Sequence, residues 1–367
     1  MISVNENIFP KNNLFAKEYN LKKLLIEVKN NSQNNFEVIN VVGTNGKGST
    51  STILADAMQT KYKKVGLFIS PAFLNHNERI SINGKCISDE ELKNTINLNK
   101  ELIKTYNLTF FEIWTLIAID YFNKNKIDIA IIEAGIGGLY DSTNVFENQK
   151  LVAITSISLD HVNVFGNSIE EIIKQKIGIV KNKNKIFLAN SNLKYKDFIK
   201  KEFSDEKIIF SEIDDLQENH FQKDNVGLVK AIVKYLNIKY DFKNIKFPLG
   251  RYSVLRKKPF FVIDGAHNEE AFKILSSSIK ETGTIVLVGL SDAKKVTMAQ
   301  KYFSNNLYFT NFENFKAADL SKIKDINFVN DWKQFLIKNI NQNILVCGSL
   351  YFVPQVYEWF NKIKDKI

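Results

Sequence analysis

A glycine-rich segment between an apolar run and a helical pattern constrains the fold of this 367-residue chain most strongly. The apolar run at 38–42 leads into residues 43–51 (GTNGKGSTS), and a helical pattern follows. Glycines let a backbone turn its N–H groups towards an anion, and the helix N-terminus adds positive partial charge. Lys47 can reach outer phosphates, and Ser49 or Thr50 can bind magnesium. The order strand, loop, helix therefore predicts a phosphate-binding loop.

Two features of this segment depart from the general Walker spacing. The interval from Gly43 to Lys47 is one residue short, and Gly48 stands between Lys47 and Ser49. The plain alternative is a glycine-rich turn that only connects a strand to a helix. A buried-looking strand that runs directly into a lysine and hydroxyl groups favours the phosphate-binding interpretation.

Composition and charge limit the classes of protein to which the chain can belong. Hydrophobic residues make up 44% and charged residues 25%, as in ordinary soluble globular proteins, and the length suits two domains. The net charge of +10 comes from scattered lysines, so we expect anionic small molecules rather than nucleic acid as partners. Cys86 and Cys347 are isolated, without metal-ligand or disulfide spacing. With a polar start and no long apolar run, the expected protein is cytoplasmic and does not interact with membranes.

Strands that alternate with helices after the loop predict a parallel α/β sheet. Three buried-looking strands end at or just before Ser70, Glu133 and His161. Ligands bind at the carboxyl ends of such strands, so we expect these side chains to lie near the phosphate loop. A carboxylate there can hold magnesium, which favours Glu133 as a ligand over a helix cap or a surface charge. His161 is interpreted as a metal or phosphate contact.

A linker at 247–250 divides the chain into two predicted domains, 1–248 and 249–367. Asn83 and Gly84 predict a hairpin turn, and the stretch 183–245 shows little pattern apart from one helix. Helices are predicted at 14–28, 111–122, 169–180 and near 225–236, and strands of the second domain at 260–263, 284–289 and 344–347. The second domain is therefore also expected to be an α/β unit.

Several side chains have ordinary interpretations that the sequence alone does not overturn. Lys176 fits a solvated helix lysine, and Asn225 is unremarkable by itself. Phe110 and Phe111 are expected in the core, with a wall for a flat aromatic ligand as the alternative.

Two features near the start of the second domain point to a site. Arg251 follows the linker, from which a guanidinium group can reach a phosphate. The cluster at 264–268 (DGAHN) directly follows an apolar strand. A tight turn is the alternative, but the unusual combination of polar side chains favours a functional role.

A set of short motifs spread over nearly the whole chain resembles the folylpolyglutamate synthase/dihydrofolate synthase family of the Mur ligase superfamily. The motifs, in the order of that family, are 43–49 (GTNGKGS), 70–71 (SP), 77–80 (NERI), 109–112 (TFFE), 133–138 (EAGIGG), 141–144 (DSTN), 155–161 (TSISLDH), 175–179 (QKIGI), 250–251 (GR), 264–268 (DGAHN) and 348–351 (GSLY). The short spacing before Lys47 and the extra Gly48 resemble the family's own loop. The resemblance implies an α/β fold with an N-terminal P-loop-type parallel-sheet ATPase domain and a smaller C-terminal Rossmann-like α/β domain.

The resemblance also implies roles for individual residues. It identifies Lys47, Glu133, His161 and Lys176 as catalytic, and Lys176 matches a lysine that the family carbamylates. The implied magnesium ligands, over two sites, are Ser70, Glu133 and His161. The implied ATP contacts are Asn45, Gly46, Lys47, Gly48, Ser49, Asn225, Arg251, Asp264, Gly265, Ala266 and His267. The implied substrate contacts are Thr109, Phe110, Phe111, Glu112, Tyr140, Asp141 and Ser142.

The reaction that the resemblance implies joins L-glutamate to dihydropteroate or to a folate that already carries glutamate, with ATP as co-substrate. Two departures bear on the choice of folate substrate: Ala72 stands where the family usually has histidine, and Leu139 where it has arginine. A Mur-type ligase of cell-wall precursors and a P-loop ATPase of another class stay as alternatives. We expect a monomer whose partners are small molecules.

Overall fold

The computed structural model describes the chain except for residues 5, 7, 10–19, 29–33, 160–165, 167, 182–183, 204–206, 216–219, 280–282, 304–305 and 367. The chain forms two compact units, Met1–Phe247 and Pro248–Ile367. The strands of the first unit are β1 Glu37–Val42, β2 Val65–Phe68, β3 Ile80–Ile82, β4 Lys85–Cys86, β5 Ile129–Glu133, β6 Gln149–Ile154, β7 Lys185–Leu188 and β8 Ile208–Phe210. Its α-helices are α1 Asn20–Glu27, α2 Lys47–Met58, α3 Asp89–Thr105, α4 Phe110–Asn125, α5 Ile169–Ile177, α6 Lys196–Glu202 and α7 His220–Tyr235.

The first unit is organised around a sheet with the strand order β4-β3-β2-β5-β1-β6-β7-β8. The strands from β2 to β8 in this order run parallel, and β3 and β4 are antiparallel additions at one edge. Val41, near the end of β1, pairs with Glu133 on β5 and with Ala153 on β6. The loop after β1 therefore lies between the ends of β5 and β6, as the parallel-sheet prediction requires.

Successive side chains along a strand point to opposite faces of the sheet, so the first unit has a core on each face. Ile129 and Ile131 pack with α2 and α7, whereas Ala130 and Ile132 pack with α3 and α4. The central strands β1, β5 and β6 are buried on both sides, which explains their nearly continuous apolar sequences. Burying a large aliphatic side chain contributes roughly 1.5–3 kcal/mol, so this three-layer packing dominates the stability of the unit.

The second unit has its own sheet, in the order β13-β12-β11-β14-β10-β9. Only the β9–β10 pair is antiparallel among the strand pairs of its described residues. Its strands are β9 Ser253–Lys257, β10 Phe260–Ile263, β11 Ile285–Val288, β12 Leu307–Thr310, β13 Phe328–Val329 and β14 Ile344–Cys347. Its α-helices are α8 Glu269–Ser277, α9 Val296–Tyr302, α10 Trp332–Lys338 and α11 Val353–Ile363.

The predicted fold class is confirmed, with corrections to individual elements. The hairpin turn at Asn83 and Gly84 is present, and both residues have positive φ. The prediction of little pattern over 183–245 was wrong, because β7 and β8 extend the sheet there. The helix predicted at 14–28 is described only as Asn20–Glu27, since most of its first part lies outside the described residues.

Candidate active site

The phosphate loop connects β1 to α2 in a conformation that depends on glycine. Gly46 precedes the first residue of α2 with a φ of 89°, in the left-handed region. A Cβ at Gly46 would lie 2.1 Å from Asn225 Oδ1, and one at Gly43 would lie 1.8 Å from Thr155 Oγ1. Lys47 Nζ donates to Gly43 O at 3.0 Å and to Thr44 O at 3.1 Å. The lysine side chain thus lies over the loop, where a phosphate needs a cation.

Backbone and side-chain groups of the segment after β6 fix the conformation of the loop. Thr44 N donates to Ser156 O at 2.7 Å, and Asn45 N donates to Ser156 Oγ at 3.2 Å. The Thr44 hydroxyl donates to Ser158 O and accepts from Ser158 N, both at 3.1 Å. The segment after β6 therefore holds the first half of the phosphate loop in place.

A buried carboxylate lies at the end of the strand next to the loop. Glu133 ends β5 and is only 2% exposed, which excludes the surface-charge interpretation. Its Oε2 accepts from Ser70 N at 3.0 Å, so the structure brings these two predicted magnesium ligands together. A buried carboxylate supplies the oxygen donors that suit magnesium, which usually takes one or two carboxylates with phosphate and water.

The plain interpretation of Lys176 as a solvated helix lysine was wrong, and its catalytic role stays a prediction. Lys176 lies at the end of α5 and is only 4% exposed. The loop after Glu133 covers it closely: a Cβ at Gly138 would lie 2.7 Å from Lys176 O, and Leu139 N donates to Gln175 O at 2.7 Å. Burial of a lysine is costly and therefore indicates a specific role.

Helix α7 brings two amide side chains to the first turn of α2. Asn225 Oδ1 accepts from Thr50 Oγ1 at 3.4 Å, and Asn225 Nδ2 donates to Gln222 Oε1 at 3.3 Å. Gln222 Nε2 in turn donates to Ser49 Oγ at 3.5 Å. Asn225, unremarkable in the sequence, thus lies against the phosphate loop, and Gln222 joins it without having been predicted.

The predicted substrate motif at 109–112 has a structural role of its own. Thr109 caps α4: its hydroxyl accepts from Glu112 N, and Glu112 Oε2 accepts from Thr109 N at 2.9 Å. Glu112 Oε1 also accepts from Leu21 N at 2.8 Å, which ties α1 to α4. A threonine followed three residues later by glutamate signals such a cap, and this signal could have been used in the sequence. Substrate binding by these two residues stays a prediction.

The two phenylalanines of this motif pack against different neighbours. Phe110 makes edge contacts with Phe9 and Trp114 in the core. Phe111 stacks on Phe68 with ring centroids 5.7 Å apart. A Cβ at Gly135 would lie 2.5 Å from the Phe111 ring, so Phe111 lies directly against the loop that follows Glu133. The expected core packing is present, and contact with substrate is untested.

Asp141 organises the loop after Glu133. It is buried, its Oδ1 accepts from Thr143 N at 2.9 Å, and its Oδ2 accepts from Ile136 N at 2.8 Å. Burial raises the pKa of the Asp141 carboxyl, although hydrogen bonds from Thr143 and Ile136 and the charge of Lys47 oppose the rise. Asp141 is thus close enough to interact electrostatically with the phosphate-loop lysine.

The two neighbours of Asp141 in the predicted substrate set differ in exposure. The Ser142 hydroxyl lies 2.7 Å from Thr115 Oγ1 on α4. Tyr140 is 60% exposed, and its contact with substrate stays a prediction.

The polar cluster of the second unit forms a compact turn at the end of β10. Asp264 is buried, its Oδ2 accepts from Tyr252 N at 2.6 Å, and its Oδ1 accepts from Ala266 N at 2.7 Å. Burial raises the pKa of the Asp264 carboxyl, and the nearby Arg251 opposes that rise. A Cβ at Gly265 would lie 3.1 Å from an Arg251 guanidinium nitrogen. The structure thus brings Arg251 and the predicted cluster together.

Two histidines remain among the predicted site residues. His267 Nδ1 lies 2.8 Å from Gly265 O, so its ring orientation is set by the same turn. His161 lies outside the described residues. Within the described ranges no group of three or more His, Cys, Asp or Glu side chains forms a metal site, and no described helix is long and apolar enough to cross a membrane.

Comparisons with known proteins identify a family and a fold that this chain shares. A model of the Mur ligase middle domain matches residues 41–254. The dihydrofolate synthase/folylpolyglutamate synthase of Bacillus subtilis is 30% identical over 387 residues, covering 88% of this chain and 90% of the relative. The solved structure of the bifunctional folylpolyglutamate synthase/dihydrofolate synthase of Yersinia pestis is 21% identical with a TM-score of 0.79. The match covers 98% of this chain and 96% of that chain. An Escherichia coli protein whose structure was solved with DHPP and ADP is 20% identical with a TM-score of 0.79. The match covers 97% of this chain and 95% of that chain.

Proposed function

The chain belongs to the Mur ligase family, in its dihydrofolate synthase/folylpolyglutamate synthase group, and we propose that it joins L-glutamate to dihydropteroate or a folate with ATP. The observation that carries the proposal is the arrangement at the end of the first sheet. There the phosphate loop after Val42 lies beside the buried carboxylate of Glu133. The Escherichia coli structural relative was solved with DHPP and ADP, which supports the same ligand classes.

The reaction proceeds in two steps. A carboxylate oxygen of the folate substrate attacks the γ-phosphorus of ATP, the bond to the bridging oxygen breaks, and ADP leaves. The amine of glutamate then attacks the acyl phosphate carbon, loses a proton and displaces inorganic phosphate, so that an amide forms. Lys47 and the N–H groups at the start of α2 stabilise the charge of the transferring phosphoryl group.

Glu133 and Ser70 are the described residues that would hold magnesium, with His161 as a further ligand. Bound magnesium neutralises phosphate charge during the transfer. The number of ions, two in our prediction, and the carbamylation of Lys176 belong to the same proposal. Carbamylation would convert a buried cation into a carboxylate-like group, and the 4% exposure of Lys176 supports a need for such a change. The mass of the intact protein, before and after mild acid treatment, tests it.

The remaining assignments are proposed on the same basis. Asn45, Gly46, Gly48, Ser49 and Asn225 contact ATP through the phosphate loop and the first turn of α2. Phe111, Tyr140 and Ser142 contact the folate substrate, supported by their place on the loop after Glu133 and the adjoining end of α4. Arg251 and the 264–267 turn are the proposed ATP contacts of the second domain. We assign 1–248 to the Mur ligase-like central domain and 249–367 to the C-terminal domain.

An assay with labelled L-glutamate tests the function. The purified chain is incubated with ATP and magnesium and with either dihydropteroate or tetrahydrofolate as acceptor. We expect labelled product that depends on ATP, on magnesium and on at least one acceptor. ATP hydrolysis that is independent of glutamate and of acceptor, with no labelled product, would contradict the proposal and favour a P-loop ATPase of another class. Comparing the two acceptors determines which folate activity is present.

A further inference from the structure

A buried asparagine lies behind the segment that holds the phosphate loop. Asn192 belongs to the 3₁₀-helix Asn190–Tyr195, which follows β7, and its side chain is 0% exposed. Its Nδ2 donates to Thr155 O at 2.6 Å, and its Oδ1 accepts from Ile157 N at 3.0 Å. The amide therefore bridges the backbone on both sides of Ser156, just beyond the end of β6.

Ser156 faces the opposite way, towards the phosphate loop. Its carbonyl accepts from Thr44 N at 2.7 Å, and its hydroxyl accepts from Asn45 N at 3.2 Å. Asn192 forms hydrogen bonds to the residues before and after Ser156, so it fixes the position of the Ser156 carbonyl and hydroxyl. A continuous hydrogen-bonded path thus leads from Asn192 to the backbone of Thr44 and Asn45.

The site requires the chemistry of a primary amide. One end of the side chain must donate to a carbonyl and the other must accept from an N–H group, which an asparagine does and an aspartate does not. An aspartate would place a carboxylate oxygen against Thr155 O. Thr155 is also 0% exposed, so water is not available to replace the lost bond.

We propose that Asn192 is a positioning residue for ATP, acting through Ser156 to hold Thr44 and Asn45 in the conformation that binds phosphate. The inference rests on the proposed function only in taking ATP as the ligand of this loop. Asn192 touches neither substrate nor reacting atoms. Its effect is pre-organisation: a loop that is already in its binding conformation loses less entropy when the ligand binds.

The test uses calorimetry, in the presence of magnesium, to measure the affinity of the protein for the nonhydrolysable ATP analogue AMPPCP. We expect Asn192→Asp to weaken binding by about tenfold, equivalent to about 1.4 kcal/mol. Asn190→Asp is the matched control, because it makes the same change in the same 3₁₀-helix. Asn190 Nδ2 donates to Ser211 O at 3.2 Å, at the end of β8 rather than at the phosphate loop. We expect the control to bind the analogue within about twofold of the wild-type affinity.

Two further measurements separate positioning from general stability. In the ligation assay, Asn192→Asp should raise KM for ATP while KM for the folate acceptor changes little. The double variant with Ser156→Ala should lose less affinity than the sum of the single losses, because both changes break one path. A merely structural role predicts equal losses for both substrates and additive effects.

Each outcome bears on the proposal. A folded Asn192→Asp with wild-type affinity for AMPPCP overturns it, as does a wild-type chain that binds no nucleotide. A wild-type chain that binds AMPPCP but forms no labelled product refutes the proposed ligase activity and leaves the positioning role supported if the variant binds more weakly. If Asn192→Asp does not fold, Ser156→Ala alone decides the matter: its side chain is half-buried, and an unchanged affinity overturns the proposal.

Discussion

Two strand-end loops, one in each unit, are held in contrasting ways. The phosphate loop after β1 is fixed by side chains far away in sequence: Ser156 is 111 residues from Asn45, and Asn225 is 175 residues from Thr50. In the turn after β10, the carboxylate of Asp264 accepts from Ala266 N and Tyr252 N, only 2 and 12 residues away. Backbone bonds from Gly265 N to Gly250 O and from Gly348 N to Ala266 O support the same turn. The first arrangement uses neutral groups from several elements, whereas the second depends on one ionisable side chain.

The two loops should therefore be disturbed by different substitutions. The phosphate loop can lose function through changes in an element that is assigned no ligand contact, such as the 3₁₀-helix Asn190–Tyr195. The Asp264 turn takes its distant support from backbone groups, which side-chain substitutions keep, so it should be most sensitive to loss of the Asp264 carboxylate.

Lys47→Ala should give the largest effect and tests whether the distantly held loop is the catalytic one. We expect ligation to fall by about 10³-fold, because a cation that stabilises transferring charge contributes roughly 3–4 kcal/mol. The thermal midpoint should stay close to that of the wild type. Lys63→Ala, an exposed lysine just after α2, is the control and should retain full activity. Near-normal ligation by Lys47→Ala would show that this loop does not carry the catalytic lysine.

Asp264→Ala tests whether the second turn depends on a single carboxylate. The variant leaves the N–H groups of Tyr252 and Ala266 without their acceptor, so the free energy of unfolding should fall by about 2–3 kcal/mol. Denaturant titration measures this loss. Asp292→Ala is the control in the same unit, since exposed Asp292 accepts from Lys294 N at 3.0 Å and its loss should cost about 0.5–1 kcal/mol. Equal losses for the two variants would refute the single-carboxylate account.

Glu133→Gln tests whether the buried carboxylate of the first unit holds magnesium. An amide keeps an acceptor for Ser70 N but has no charge to hold a cation, so we expect the magnesium requirement for ligation to rise about tenfold. Glu37→Gln serves as the control, because Glu37 begins β1 at the opposite end of the sheet and bonds Lys150. An unchanged magnesium titration for Glu133→Gln would remove Glu133 from the ligand set.

The smallest effect expected is a pH dependence confined to the Asp264 turn. Burial raises the pKa of Asp264 above its unfolded value, so the folded state binds a proton more tightly than the unfolded state. The resulting stabilisation is complete below the unfolded pKa and is lost as pH rises through the raised pKa. The wild type should therefore lose stability relative to Asp264→Asn over that rise, as unfolding titrations at several pH values measure. A constant difference would show that ionisation of Asp264 is not coupled to folding.

The two loops also show what the sequence alone can predict. The phosphate loop was predictable because glycines, lysine and hydroxyls follow a strand within a dozen residues, and the local pattern carries the physics. The parallel sheet followed from the alternation of strands and helices. Strands β7 and β8 were missed, because runs of four and three residues in a lysine-rich stretch give no clear period.

Burial and distant contacts were harder to predict. The sequence around Lys176 fits an amphipathic helix, and its burial accompanies the approach of Gly138, from another loop, to the backbone at Gln175 and Lys176. Asn192 has no local signal at all, since its role depends on the backbone of Thr155 and Ile157. Such contacts arise only when elements far apart in the chain meet, so no window of sequence contains them.

The distances in sequence across the phosphate loop have a consequence for folding. Closing a long chain segment has an entropic cost that must be met before the contact stabilises anything, so non-local contacts form late. During synthesis from the N-terminus, the glycine loop emerges long before Ser156, Asn192 and Asn225. We therefore expect a nascent chain to carry the complete GTNGKGS segment without ATP affinity, and to acquire that affinity only after α7 has emerged and folded. The nucleotide site thus reports the completion of the first unit rather than its beginning.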